Sequence, residues 1–194
     1  MAMFSRYLQR TRTQRVVPWI RGSVLDLGCA DAPILEHVQK RIESYCGVEL
    51  SADFVQSLQE RYPSHTFLRR DMDEDQIGID RRFDTVLMTA FIEHIYNQKH
   101  LFREILLHLK PGGRIVITTP TPLGDLVHRW GTKLRLFAKS ARDHHPVIFN
   151  KERFYVFARY FSLDIEAYSR FQFGCNQLVV LRRRHDSLHE STPT

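Results

Sequence analysis

The alternation of short apolar runs with longer helical patterns is the sequence feature that most restricts the fold of this chain. Helices are predicted over residues 33–41, 52–61 and 98–109, where apolar residues recur at intervals of three and four. Strand, helix and strand in repeated succession indicate a parallel sheet covered by helices on both faces. The predicted strands of this part, all short runs of branched and apolar residues, are 23–27, 45–48, 66–68, 83–88 and 114–119.

The end of the chain breaks this alternation. Residues 163–168 and 177–181 are both predicted strands, but only about eight residues separate them, whereas a parallel crossover needs a dozen or more. The two strands are therefore expected to form an antiparallel hairpin. The predicted fold class is α/β: a doubly wound, Rossmann-like, mostly parallel seven-stranded sheet that ends in an antiparallel hairpin.

The length of 194 residues suits one domain with a full core and is too short for two ordinary ones. We expect a single domain over residues 1–184, with a helical N-terminal segment at 1–22 and an insertion at 121–149. A disordered polar tail is expected at 185–194. Hydrophobic residues make up 43% of the chain and charged residues 26%, which is typical of a globular protein.

Apolar runs and cysteine positions together predict a cytoplasmic protein with reduced thiols. No apolar run approaches the ~20 residues that span a bilayer, and the arginine-rich start lacks the apolar stretch of a signal peptide. The three cysteines, Cys29, Cys46 and Cys175, are far apart and odd in number. This pattern argues against a disulfide framework and against a zinc site.

The positive charge of the chain does not by itself indicate nucleic-acid binding. The formal net charge is +6, but the basic residues are spread over the N-terminal segment, the stretch 129–142 and the residues 182–184. No aromatic residues interleave with them as stacking platforms would. By the basic-stripe criterion, nucleic acid is therefore not expected as a partner.

Residues 24–33 form the most informative segment, a strand that runs into a glycine-containing turn. In a doubly wound sheet, ligands bind at the carboxyl ends of the strands, near such a turn. Asp26 precedes the turn glycine, Gly28. A carboxylate there repels a pyrophosphate and attracts a cation such as the ammonium and sulfonium of S-adenosylmethionine.

Two further acids follow later strands. Glu49 lies about 20 residues beyond Gly28, the interval at which a carboxylate accepts both ribose hydroxyl protons. Asp71 follows the third predicted strand, where it is placed to accept the adenine amino group while Met72 packs on the ring. An alternative interpretation of Asp71 is a solvated loop acid, since turns favour aspartate.

With these residues, the chain resembles the class I S-adenosylmethionine-dependent methyltransferases of the small-molecule type from about residue 15 to residue 182. The matching motifs are residues 24–32, 47–50, 83–86 running into 91–94, and 109–114. The resemblance implies S-adenosylmethionine as cofactor, bound by residues that lie in the turn or follow strands. These are Asp26, Gly28, Cys29, Ala30, Glu49, Leu50, Asp71, Met72 and Thr89.

One departure from the family pattern affects the turn. The family's glycine-x-glycine-x-glycine stands here as Gly28, Ala30 and Ala32. An added methyl group restricts positive φ and close approach of the backbone, so reduced cofactor affinity or an altered turn is expected.

Histidines are the candidate bases for removing an acceptor proton. His94 follows the fourth strand, and His144 and His145 lie in a segment that faces the acceptor in similar enzymes. The alternatives are a helix-capping role for His94 and a surface loop for the pair. No metal site is expected, because these histidines lack ligand spacing on a helix and no carboxylate pair accompanies them.

The insertion at 121–149 is expected to build the acceptor pocket and a lid. It has a basic amphipathic pattern, which fits either a lid that packs on its own core or an interfacial helix that meets anionic lipid. The lid is favoured over peripheral membrane contact because Gly131 weakens the helix. The apolar face and its basic neighbours comprise Leu126, Trp130, Leu134, Phe137, Arg129, Lys133 and Lys139.

The sequence favours O-methylation of a small-molecule hydroxyl or carboxyl, such as a sugar or lipid-linked group. An RNA or protein methyltransferase is the second hypothesis. It is weakened because residues 89–92 lack the Asn/Asp-Pro-Pro-Tyr segment expected after the fourth strand of many base or glutamine N-methyltransferases. A cofactor-binding module without catalysis is the third hypothesis, which the alanines of the turn keep open.

Overall fold

A computed structural model describes residues 3–133 and 147–184 of the chain. It contains one seven-stranded sheet with the strand order β3-β2-β1-β4-β5-β7-β6. The strands are β1 (Ser23–Leu27), β2 (Ser44–Glu49), β3 (Thr66–Arg69), β4 (Phe83–Thr89), β5 (Leu109–Pro120), β6 (Leu163–Phe171) and β7 (Asn176–Arg183). The helices are α1 (Met3–Val16), α2 (Leu35–Val38), α3 (Ala52–Arg61), α4 (Gln98–His108), α5 (Pro122–Lys133) and α6 (Lys151–Tyr160).

The topology confirms the predicted fold class. Strands β1 to β5 pair in parallel, whereas β7 is antiparallel to both of its neighbours, β5 and β6. The order of the strands reverses between β1 and β4. Ligands of doubly wound sheets bind at the carboxyl edge of such a switch point, so the fold directs attention to the segments that follow β1 and β4.

Burial of the central strands on both faces explains their continuous apolar sequence. All five residues of β1 are buried. On one face of the sheet, Leu25 and Met88 belong to a core that includes Phe102 of α4 and Phe154 of α6. On the other face, Val24 belongs to a second core that includes residues of α1 and α2.

Two predicted elements differ from the structure. The helix expected over 33–41 is reduced to Leu35–Val38, because the N–H groups of Leu35 and His37 bond to carbonyls three residues earlier and Pro33 has no N–H to donate. The fifth strand begins at Leu109 rather than at residue 114, and its pairing with β4 is shifted near Phe83. The glycine-rich stretch is therefore an irregular part of the strand.

The insertion is described only in part. Its first part is α5, and the described helices include none that is long and apolar enough to cross a membrane. Leu126, which was expected to pack on the protein's own core, is 52% exposed. Leu134, Phe137 and Lys139 lie outside the described residues, as does the tail at 185–194.

Candidate functional site

Two adjoining cavities lie at the carboxyl edge of the sheet. The first, of about 320 Å³, is lined by residues that follow β1, β2, β3 and β4. The second, of about 230 Å³, lies between the turn after β1 and helix α1. Both cavities are lined by Gly28, Ala30 and Ala90. The turn after β1 therefore separates two halves of one elongated site.

The turn after β1 has left-handed backbone at every second residue. The φ angles are +71° at Gly28, +48° at Ala30 and +51° at Ala32. The two alanines thus adopt the conformation for which the family uses glycine, although a left-handed conformation costs a residue with a Cβ roughly 1–2 kcal/mol. The N–H groups of Gly28 and Cys29 donate to the carbonyl of Val48, at 2.8 and 3.2 Å.

Glu49, the last residue of β2, fixes the turn from the other side. Its Oε2 accepts from the N–H of Ala30 at 3.1 Å, and its Oε1 accepts from the N–H groups of Leu50 and Ser51, both at 3.0 Å. Hydrogen bonds to a carboxylate are stronger than neutral ones, and they offset part of the strain at Ala30. The carboxylate lines the first cavity, as does Leu50.

The segment after β3 forms the far wall of the first cavity, which is lined by Asp71 and by the buried Met72. The Oδ1 of Asp71 also accepts from the N–H of Asp73 at 3.0 Å. The Oδ1 of Asp73 accepts from the N–H groups of Tyr96 and Asn97, at 2.8 and 2.7 Å. Asp71 is thus both a turn-forming acid and a wall residue, and Asp73 joins this wall to the loop after β4.

Asp26 lies beneath the turn and lines neither cavity. It is buried in β1 and accepts a hydrogen bond from the hydroxyl of Tyr45 at 2.7 Å, while its Oδ1 has no hydrogen-bond partner. Burial raises the pKa of Asp26 to about 7, and the nearby Glu49 adds to this, although the Tyr45 hydroxyl opposes it. The carboxylate of Asp26 is therefore not among the groups that line either cavity.

Helix α1 forms a wall of the second cavity that the sequence did not predict. Gln9, Arg12 and Thr13 line it, together with Cys29 and Thr89. The first three recur at the spacing of one helical face, and this spacing within an arginine-rich segment was the available signal.

Arg12 has the chemistry of an anion-binding residue in this cavity. Its Nε is buried and has no hydrogen-bond partner among the described residues. Burial lowers the pKa of Arg12, but the nearby Glu93 opposes this shift, and a guanidinium stays protonated in proteins. Glu93 is itself buried and accepts from the Thr119 hydroxyl at 2.9 Å. A cation with an unpaired donor thus faces the second cavity.

Of the candidate bases, the structure describes only one. His94 lines the first cavity, where its backbone N–H donates to the carbonyl of Phe91 at 3.0 Å. His144 and His145 lie outside the described residues. Over residues 3–133 and 147–184, no group of three or more histidine, cysteine, aspartate or glutamate side chains is placed to hold a metal ion.

Comparison with solved structures finds the same architecture in another protein. A protein solved in complex with the Haloferax volcanii Trm112 methyltransferase activator has a TM-score of 0.74 to this chain at 17% sequence identity. The comparison covers 93% of each chain. At this level of identity, the likeness concerns the fold.

Comparison of sequences identifies the family. The nodulation protein S of Azorhizobium caulinodans is 24% identical over 113 residues, which are 57% of this chain and 54% of that protein. A dTDP-3-amino-3,4,6-trideoxy-alpha-D-glucopyranose N,N-dimethyltransferase of Streptomyces venezuelae is 30% identical over 114 residues, 57% of this chain and 45% of that protein. The chain thus matches about half the length of these curated relatives. Residues 4–161 match the family described as methyltransferase domain, and the chain belongs to the class I S-adenosylmethionine-dependent methyltransferases.

Proposed function

We propose that this chain transfers the methyl group of S-adenosylmethionine to a small polar molecule. In this proposal, the first cavity takes the adenosine part of the cofactor and the second takes its methionine part. The observation that supports it most is the chemistry of the walls. A buried carboxylate faces one cavity, and a guanidinium whose buried Nε has no hydrogen-bond partner among the described residues faces the other, across a turn shared by both.

The first cavity has the groups that a nucleoside requires. The carboxylate of Glu49 is fixed by three backbone N–H groups, and we propose that it accepts hydrogen bonds from the ribose hydroxyls. Leu50 and Met72 supply apolar surface for the adenine ring, and Asp71 supplies an acceptor for its amino group. A cavity with apolar walls and a few fixed polar groups is typical of a cofactor site.

The second cavity fits an amino acid. We propose that Arg12 binds the carboxylate of the methionine part, and that Thr89 and the turn backbone complete this half of the site. Asp26 then acts from beneath the turn by its charge alone, without contact. Its pKa near 7 means that a substantial part of its population is protonated at neutral pH, so this long-range attraction grows as the pH rises.

The cofactor, when bound, supplies an electrophilic methyl group on a sulfonium, so the protein has to position the acceptor and remove its proton. We propose an oxygen acceptor, with His94 as the base. His94 stands on the loop after β4 and lines the first cavity. The segment of the insertion that contains His144 and His145 remains a proposed part of the acceptor site.

An amine acceptor is the second candidate, and the sequence comparison favours it. The Streptomyces relative is named as an N,N-dimethyltransferase of an amino sugar nucleotide. A neutral amine attacks without a base in the transfer step, so this alternative predicts that His94 is dispensable. The two candidates differ in the atom methylated and in the need for a base.

The test of the cofactor arrangement uses a matched pair of nucleosides. S-adenosylhomocysteine has the amino-acid carboxylate, whereas 5′-methylthioadenosine lacks it. The variant Arg12→Gln is expected to bind S-adenosylhomocysteine at least about tenfold more weakly, the loss of one charge-assisted hydrogen bond, and to bind 5′-methylthioadenosine as the wild type does. If the variant loses the same affinity for both nucleosides, or loses affinity for neither, the proposed role of Arg12 is contradicted.

The acceptor class is tested by labelled methyl transfer to two matched panels, hydroxylated sugars and their amino-sugar counterparts. If the wild type methylates the hydroxylated sugars and His94→Gln does not, the first candidate is supported. Transfer to the amino panel that survives in His94→Gln supports the second. Absence of transfer to any acceptor by a cofactor-bound protein would count against small-molecule methylation.

A further inference from the structure

The turn between β6 and β7 presents an aromatic ring to solvent at a cost in backbone strain. Gln172, Phe173 and Gly174 all have left-handed backbone, with φ angles of +53°, +56° and +83°. Phe173 is 98% exposed. Two consecutive strained residues with side chains persist only where the surrounding structure holds them, and such strain is concentrated at functional sites.

The turn is held in place on one side by α1. The side-chain amide of Gln172 donates to the carbonyl of Leu8 at 3.0 Å and to the hydroxyl of Thr11 at 2.6 Å. The N–H of Gly174 donates to the carbonyl of Phe171 at 3.1 Å. The exposed ring is thus part of a rigid turn rather than of a loose loop.

Helix α5 is fixed to the other side of the same turn. The N–H of Thr121 donates to the carbonyl of Cys175 at 2.9 Å, and its hydroxyl donates to the carbonyl of Gly174 at 2.7 Å. A Cβ at Gly124 would lie 1.8 Å from the Cys175 carbonyl oxygen, so the helix backbone packs directly on the turn.

Exposed apolar side chains lie both on α5 and on the turn against which α5 packs. On α5, Leu123, Leu126 and Val127 are all exposed, and Leu123 lies beside Gly174. We call Leu123, Leu126, Val127 and Phe173 the tip surface. Its residues project from a helix and a turn instead of lining a groove.

Basic residues lie on the elements that carry the tip surface and on α1, which holds the turn. Arg10 on α1 and Arg170 on β6 are exposed, and the part of α5 that follows Val127 includes Arg129 and Lys133 in its sequence. Helix α1 has no acidic residue, and the only acid of α5, Asp125, is buried. Exposed apolar side chains accompanied by basic residues are a combination by which proteins bind anionic bilayers.

We propose that the tip surface docks on an anionic lipid bilayer. Phe173 and the α5 leucines enter the headgroup region, and the exposed Arg10 and Arg170 contact lipid phosphates. Because α5 follows the carboxyl end of β5, docking places the edge of the sheet that holds both cavities next to the membrane. An acceptor that is held in the membrane would then reach the site without leaving the bilayer.

The test is co-sedimentation of the whole chain with vesicles of phosphatidylcholine, with and without phosphatidylglycerol. The wild type is expected to bind the anionic vesicles in a salt-sensitive manner and to bind neutral vesicles weakly. Phe173→Ser and Leu126→Ser are each expected to weaken this binding at least about fivefold. Val156→Ser is the matched control, since it removes an exposed apolar side chain from α6, and it is expected to have no effect.

Thermal unfolding of each variant shows whether the variant is folded. All three variants are expected to fold, because the substituted side chains are exposed. Failure of the wild type to bind anionic vesicles would overturn the proposal, and so would equal binding by all variants. A concentration-dependent dimer that Phe173→Ser converts to monomer, without vesicle binding, would instead assign the tip surface to a second copy of this chain and would also overturn it.

Discussion

Replacement of Glu49 by glutamine tests the turn and the cofactor site with one substitution. The carboxylate accepts three backbone hydrogen bonds, with two at Oε1 and one from Ala30 at Oε2. Glutamine has one acceptor oxygen, so an amide N–H₂ must face at least one backbone N–H. The loss of one charge-assisted hydrogen bond in a buried place costs about 2 kcal/mol.

In a protein of this size, that loss corresponds to a fall of about 4–8 °C in the melting temperature of the cofactor-free protein. The affinity for S-adenosylhomocysteine is expected to fall by roughly 10- to 100-fold, because the ribose hydroxyls lose a charged acceptor. Differential scanning fluorimetry and calorimetric titration measure the two effects separately.

Glu60→Gln is the matched control. Glu60 is an exposed acid whose side chain accepts from that of Gln56 and lines neither cavity, so both quantities are expected to stay at wild-type values. If Glu49→Gln also melts within about 1 °C of the wild type and binds S-adenosylhomocysteine equally well, the role assigned to Glu49 is wrong in both respects.

Three further substitutions give independent predictions. Because burial raises the pKa of Asp26 to about 7, its contribution to the free energy of unfolding is greatest at acid pH and is lost as the pH rises through about 7. The free energy of unfolding of the wild type, relative to that of Asp26→Asn, should therefore fall by up to about 1.4 kcal/mol per pH unit between pH values of about 5 and 7. Denaturant titrations measure it, and a difference between the two proteins that stays constant with pH would refute this. Gly28→Ala places a Cβ 2.2 Å from the ring of Phe91, at a residue whose φ is +71°. The free energy of unfolding is expected to fall by about 3 kcal/mol. A fall below about 1 kcal/mol would contradict this, because it would show that the turn adapts to the added methyl group. If the acceptor is an oxygen, His94→Gln should lower kcat at least about 100-fold and leave the affinity for S-adenosylhomocysteine within about threefold, whereas unchanged turnover would exclude His94 as the base.

The fold was predictable because its determinants are local and repeated. Short apolar runs between amphipathic segments indicated parallel strands, and the short spacing before residues 177–181 excluded a crossover. The structure confirms this arrangement as a sheet in which only β7 is reversed. The segment 33–41 was predicted less well, because apolar spacing does not distinguish a helix from successive turns around Pro33.

The candidate site was predictable only where its residues stand at the ends of strands. Glu49 ends β2, and Asp71 and Met72 follow β3, so the topology alone brings them to one edge. Arg12 is far from them in sequence, and only the packing of α1 over the turn brings it to the second cavity.

Asp26 shows the complementary limit of sequence reasoning. Its place beside Gly28 in the sequence indicated contact with a ligand, but residues of a strand alternate between the faces of the sheet. The face on which Asp26 lies is closed by Tyr45, and sequence spacing does not show this.

The central claim, that the two cavities together hold S-adenosylmethionine, is tested most directly by calorimetric titration of the wild-type chain with S-adenosylhomocysteine. The two cavities and the chemistry of their walls predict one binding site per chain with a Kd of about 1–100 μM. Absence of binding at millimolar ligand, by a protein shown to be folded, would contradict it.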